Sequence, residues 1–288
     1  MARDSATLQR TSAEARAAGP GRKHDLRAVK IVWQRELIRF AQDRPRILVS
    51  LLQPVLFLFV LGTGLGSLVS GGAGGVSLRT FLFPGVLGMA VMFTAMFSAA
   101  SIVWDREFGF LREMLVAPVA RGGIVLGKCL GGASVAAFQG VILLALAGTV
   151  GVPYSPLLIL TLTGELLLLA FVITALGVLL AARIRSIQSF FSLTQMLLMP
   201  LFFLSGALFP LTNLPTWLQV LTHVNPLTYA VDPMRRAVFA RLSPGGHPLS
   251  TDVTWGSWRV PTLLELALVA ALALALLAVA VVQFRRPD

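Results

Sequence analysis

Six stretches of this chain are long, apolar and nearly uncharged: about 47–68, 82–103, 124–150, 157–182, 187–209 and 262–284. The Asp, Glu, Lys and Arg residues inside them are Lys128, Glu165 and Glu265 alone. A bilayer's hydrocarbon core is about 30 Å thick, so about twenty apolar helical residues cross it. No water there can satisfy an exposed backbone, and a helix satisfies its own. The chain is therefore expected to be an all-α integral membrane protein with six transmembrane helices. Its composition agrees. Of 288 residues, 56% are hydrophobic and 13% charged, against about 25% charged in a soluble domain.

The net charge of +11 raises nucleic-acid binding, but the distribution of charge argues against it. Nineteen of the 24 Lys and Arg residues lie before the first span, between spans two and three (with Lys128), between spans four and five, or after span six. The other five, Arg79, Arg235, Arg236, Arg241 and Arg259, fall on the opposite side. Lys and Arg accumulate on the cytoplasmic face. Both termini and the insert between spans two and three are thus expected in the cytoplasm, with no nucleic-acid partner.

Residues 1–24 are rich in Ala, Arg, Ser and Thr and read as a disordered cytoplasmic tail without a secretory h-region. Over 25–46, Leu26, Val29, Trp33, Leu37 and Phe40 recur at helical spacing among basic residues. That pattern fits an amphipathic helix on the inner membrane surface, or an ordinary packed helix. The transmembrane domain is expected over 47–286. Gly71, Gly72, Gly74 and Gly75 mark a loop after span one, and Ser243 to Trp258 reads as another. Ahead of that second loop, the segment 210–261 carries two short, partly apolar helical stretches split by Asn225-Pro226. These read as outer or re-entrant half-helices, with Trp217 and Tyr229 on them.

Gly122-Gly-Ile-Val-Leu-Gly127-Lys128 imitates a phosphate-binding loop, but Cys129 stands where the Ser/Thr hydroxyl for magnesium is needed. No strand precedes it and a membrane span follows, so the chain itself is expected to hold no nucleotide and to be no enzyme. Lys128 reads as an interfacial anchor, and Gly123, Gly127 and Gly131 as a stripe for close helix approach. The three histidines lie outside the spans, and no hydrolase or metal motif is present. Cys129, the only cysteine, excludes an intrachain disulfide. Glu165 is the one carboxylate well inside a span. It reads either as a polar contact on a substrate pathway or as a helix-interface residue, with Gln139, Gln188 and Gln195 weaker examples.

That leaves Trp104–Lys128. Asp105, Arg106, Glu107, Arg112 and Glu113 crowd its first ten positions, and Phe108, Leu111 and Leu115 share a helical face. Gly109 permits close backbone approach, Pro118 ends the helix, and Arg121 follows. An amphipathic helix on the inner face can enter a groove of a soluble partner, while its charges fix register. The plainer alternative is a solvated connector.

Trp104-Asp-Arg-Glu-Phe-Gly-Phe-Leu-Arg-Glu-Met-Leu-Val-Ala-Pro118 with Arg121, Phe83-Pro-Gly85, Pro200-Leu-Phe-Phe-Leu-Ser-Gly206 with Phe209-Pro210, and Leu214-Pro215 through Asn225-Pro226-Leu227 resemble the ABC-2 (type-2) ABC transporter permeases. Antibiotic-resistance exporters of the daunorubicin type are among them. The resemblance runs from about residue 25 to the C-terminus. It implies a connecting helix before span one and a coupling helix between spans two and three that docks on a separate cytoplasmic ATPase. It also implies two short outer helices before span six, and a complex of two permeases, identical or homologous, with two ATPases. ATP and magnesium would sit on those ATPases. The coupling role then falls on Asp105, Arg106, Glu107, Phe108, Gly109, Leu111, Arg112, Leu115, Pro118 and Arg121. The expected function is the permease subunit of an ATP-driven exporter in the bacterial inner membrane. It would move a hydrophobic drug-like molecule, lipid or lipid-linked glycan outward as spans one, two and five rearrange between permeases. The rivals are an ion-coupled secondary transporter, which needs more membrane carboxylates, and a membrane enzyme or scaffold.

Overall fold

Backbone that must satisfy itself in hydrocarbon becomes helix, and helix dominates the computed structural model. The model describes residues 22–66, 77–109, 120–211, 214–242, 253–255 and 258–285. Residues 1–21 of the tail expected over 1–24, the Gly71–Gly75 loop, residues 243–252, and Leu111, Arg112, Glu113, Leu115 and Pro118 lie outside the described residues, whereas 22–24 open a helix.

Helix α1 is Arg22–Gln42 and α2 is Arg44–Leu56, which continues through a π-helical turn, Phe57–Leu61, to Gly62–Gly64. Helices α3, Leu78–Ser98, and α4, Ala100–Glu107, form one run interrupted by a turn at Ala99. Then come α5, Arg121–Leu144, α6, Pro156–Ala181, and α7, Ile187–Phe203. Two short helices follow, α8, Thr216–Val224, and α9, Thr228–Leu242. A two-residue hairpin pairs β1, Thr254–Trp255, with β2, Trp258–Arg259, and α10 is Thr262–Arg285.

Among the described residues, five helical runs are long and apolar enough to cross a membrane: Ile47–Gly64, Leu78–Glu107, Arg121–Leu144, Pro156–Ala181 and Thr262–Phe284. The stretch expected as span five gives a shorter helix of 17 residues. The apolar run continues to Phe209, but Gly206 adopts φ +72° and the chain turns there. That left-handed conformation suits glycine because it has no Cβ to clash.

The α3–α4 run is the central element, with 83% of its span window buried, whereas Ile47–Gly64 and α10 are only 17% and 22% buried. Helices α3, α5 and α6 pack on one another, α10 lies against α6, and α1 runs along α5. Gly85 on α3 receives the turn after α7. A Cβ at that position would sit 2.5 Å from the Ala207 carbonyl oxygen. At the opposite end, Phe97 meets Phe191 at 5.6 Å, and Phe191 meets Trp104 at 6.5 Å, joining α3, α4 and the start of α7.

Candidate functional site

Successive residues of an α-helix point about 100° apart, so three neighbours reach three sides. Asp105, Arg106 and Glu107 end α4 in this way, at the end of the bundle that the charge count assigns to the cytoplasm. Asp105 is buried, Arg106 is half-buried and Glu107 is exposed, and each reaches a different client.

Asp105 faces α1 and α5. Its Oδ1 accepts from Arg35 Nη2 at 2.7 Å and its Oδ2 from Lys128 Nζ at 2.7 Å. Lys128 Nζ also donates to Glu36 Oε1 at 2.6 Å and to Ser101 Oγ at 3.0 Å. An ammonium has three donors, and three acceptors meet them. The Lys128 side chain is only 3% exposed, and those of Glu36 and Asp105 5% each. Lys128 is therefore no interfacial anchor. It is a buried ion held by two carboxylates, and removing one partner of such a group costs about 3–5 kcal/mol. The glycine stripe explains how α1 comes so close. Cβ atoms at Gly127 and Gly131 would lie 2.8 Å from Val32 Cβ and 2.6 Å from Glu36 Cβ. Trp33 Nε1 donates to Ser134 Oγ at 3.0 Å and completes the seat.

Arg106 faces the end of α6. Its Nη1 donates to the Ala181 and Ile184 carbonyls at 3.0 and 2.7 Å, and its Nη2 to the Ala182 carbonyl at 3.0 Å. The last carbonyls of a helix have no partner within it, and a cation there also suits the helix dipole. Glu107 Oε1 accepts weakly, at 3.4 Å, from the Ile187 amide opening α7. Arg121 repeats the capping on α10, donating to the Phe284 carbonyl at 3.0 Å. Beyond this junction Phe108 is 73% exposed and Gly109 turns with φ +82°. Arg39 lies 5.0 Å over the Trp104 ring.

Glu36, Arg35 and Ser101 escaped the sequence reading. The signal was present for Glu36, a carboxylate in register with Val29, Trp33 and Phe40 on an otherwise apolar stripe.

In the bilayer interior, Gln139 is 1% exposed and ties helices together. Pro54 has no N–H, so the Ser50 carbonyl one turn earlier loses its helical donor. Gln139 Nε2 fills that place at 2.9 Å, while its Oε1 accepts from Thr94. Gln139→Leu should therefore lower stability by about 1–3 kcal/mol, the penalty for an unmet buried acceptor. Adding Pro54→Ala, which returns an N–H to Ser50, should recover much of it. Thermal unfolding in lipid nanodiscs reads both, and equal melting of the single and double variants would contradict this pairing. Glu165 is 6% exposed, with no hydrogen-bond partner for Oε2 among the described residues. Gln188 and Gln195 are exposed on α7.

At the opposite end, Asn225 Nδ2 donates to the Leu201 carbonyl at 2.7 Å and Asn225 Oδ1 accepts from the Leu227 amide at 3.0 Å. Pro226 sits in the turn between α8 and α9. Tyr229 donates to the His223 carbonyl at 2.8 Å and accepts from Trp255 Nε1 at 3.1 Å. Trp217 is 66% exposed on α8. Arg235 is fully buried, donates to the Gly206 carbonyl and lies 4.6 Å over the Phe81 ring. Burial pushes its guanidinium down to about 10, against the opposing pull of Asp232. Arg236 pairs with Asp232 at 2.5 Å and Glu265 at 3.2 Å, joining α9 to α10. No group of three or more His, Cys, Asp or Glu residues suited to a metal occurs among the described residues.

The chain belongs to the ABC-2 type transporter family, whose pattern matches residues 27–239. It is thus a membrane permease subunit of an ABC transporter and a multi-pass membrane protein, and membership implies partnership with an ABC ATPase. Among similar proteins, the putative transport permease ycf38 of Cyanophora paradoxa is 32% identical over 202 residues, 67% of this chain and 68% of the relative. Nodulation protein J of Sinorhizobium fredii (strain NGR234) is 31% identical over 218 residues, 75% and 82% respectively. The inner membrane transport permease YadH of Escherichia coli K12 is 29% identical over 210 residues, 72% and 81% respectively.

Proposed function

We propose that this chain is the permease of an ATP-driven exporter in a bacterial inner membrane. Two copies, or one copy and a homologue, work with two cytoplasmic ATPases. The cargo is a hydrophobic drug-like molecule, lipid or lipid-linked glycan. One observation carries the reading: α4 ends in exposed Phe108 and Gly109 directly after three charged residues that hold α1, α5, α6 and α7. A surface pushed at Phe108 is thereby connected to the rest of the bundle. In this reading Phe108, Gly109, Leu111, Arg112, Leu115 and Pro118 meet the ATPase, while Asp105, Arg106 and Glu107 hand the motion inward and Arg121 holds α10. The names of the ycf38 and YadH relatives as transport permeases support transport.

The test is affinity purification from a host expressing the candidate ATPase with the permease. Wild type should retain the ATPase, and Phe108→Asp should reduce its recovery by about tenfold, the scale of an interface hot spot, with the permease still inserted. Full retention by Phe108→Asp sinks the contact assignment. Failure of the wild type to hold any ATPase sinks the reading altogether.

A further inference from the structure

Three of the four ions at the inner junction are closed off from water. Glu36 and Lys128 are 92 residues apart in sequence, and Asp105 and Lys128 are 23 apart. The set contains two cations, Arg35 and Lys128, and two carboxylates, Glu36 and Asp105. In a site where water cannot replace a lost partner, pulling α4 away from Lys128 strands a charge on each side. Moving α1, the end of α4 and the first turns of α5 together breaks none of these contacts. The permitted motion is therefore that of one body. The backbone supplies a break at two of its borders, non-helical Asp43 between α1 and α2 and the turn at Ala99, where the hydrogen bonds tighten to three-residue spacing between α3 and α4. The close seats of α1 at Gly127 and Gly131 leave no room for α1 to slip along α5.

We infer that Lys128 is a positioning residue that clamps α1, the end of α4 and the inner turns of α5 into a single moving unit. A displacement imposed at Phe108 then reaches the first helix and the third span together. The inference rests on the ATP-driven reading above and deepens it by naming the group that makes the transmission rigid. The role belongs to the Gly-Lys sequence that imitates a nucleotide loop. Its lysine meets carboxylates of its own chain.

Spin labels at Ile31 on α1, 56% exposed, and at Glu107, the exposed last residue of α4 and outside the proposed ATPase contact, test this. Cys129 is fully buried and leaves the introduced cysteines as the labelled sites. The measurement uses the complex with its co-purified ATPase in nanodiscs. In wild type the separation should be the same without nucleotide and with ATP and vanadate. In Lys128→Met it should become broad and nucleotide-dependent, while ATP hydrolysis stays within about twofold of wild type, so that coupling and not the motor is lost. Lys128→Arg should restore the narrow separation. Should Lys128→Met not fold, Glu36→Gln weakens one of the three contacts and carries the same readout. A wild-type separation that shifts with nucleotide by more than about 2 Å, the scale of helix shifts in switching proteins, overturns the clamp alone. So does a folded Lys128→Met, or Glu36→Gln in its place, that behaves as wild type. Absence of any co-purifying ATPase overturns the ATP-driven reading, and the clamp with it.

Discussion

Arg106→Glu should be among the most damaging single changes in this chain. Arg106 holds three carbonyls, those of Ala181, Ala182 and Ile184, at 2.7–3.0 Å. A glutamate offers them no donor and brings a negative charge to the negative end of α6. Hydrogen bonds to charged groups contribute about 1.5–3 kcal/mol each, so a loss on the order of 4 kcal/mol is expected even with partial rescue by water. Arg106→Lys should fall between, because an ammonium is a point charge and cannot spread over three carbonyls as a planar fork does. The check is thermal unfolding of purified protein. Equal melting of wild type and Arg106→Glu would remove the capping role. In a working complex the same change should stop export, since Arg106 links the pushed tip to α6.

The second large effect is expected at Gly85. A Cβ there would meet backbone, with the Ala207 oxygen at 2.5 Å and Ala207 Cα at 2.8 Å. Backbone cannot rotate aside as a flexible side chain can. Overpacking costs about 1–3 kcal/mol where neighbours can yield, and Gly85→Val should reach the upper end or pass it. Gly164 on α6 is the control, because a Cβ there meets nothing within 4 Å. Gly164→Ala should be neutral or stabilising by up to about 1 kcal/mol, as removing a helical glycine usually is. A Gly85→Val protein that melts with wild type would show that the turn after α7 is not seated on α3.

The helices were legible because membrane length and apolar composition are local properties. The abrupt stop at Trp104-Asp-Arg-Glu was equally plain, and so was the short basic break between α6 and α7. What those charges do was not legible. Asp105 and Arg106 looked like a surface because charge usually seeks water, yet each finds its partners in helices far away in sequence, while Glu107 stays exposed. Lys128 looked like an anchor for the same reason. Its partner Glu36 sat on an apolar stripe, and two opposite charges in apolar contexts were the available hint. The end of α7 was misjudged because composition does not distinguish apolar helix from apolar turn. Gly206 held that information. Gln139 could have been paired with Pro54, since a proline inside a membrane helix calls for a donor from a neighbour.

The unequal lengths of α6 and α7 bear on the lipid around the protein. At about 1.5 Å per residue, the 26 residues of α6 make a rod of about 39 Å and the 17 of α7 one of about 26 Å. Bilayers accommodate a long helix by tilting it and a short one by thinning beside it. Met196 and Phe203 are exposed on α7, at 77% and 51%, so the apolar neighbour that covers that helix, a second permease or acyl chains, meets a low wall. Where lipid covers it, the bilayer should thin on that flank and shorter-chain lipids should gather there.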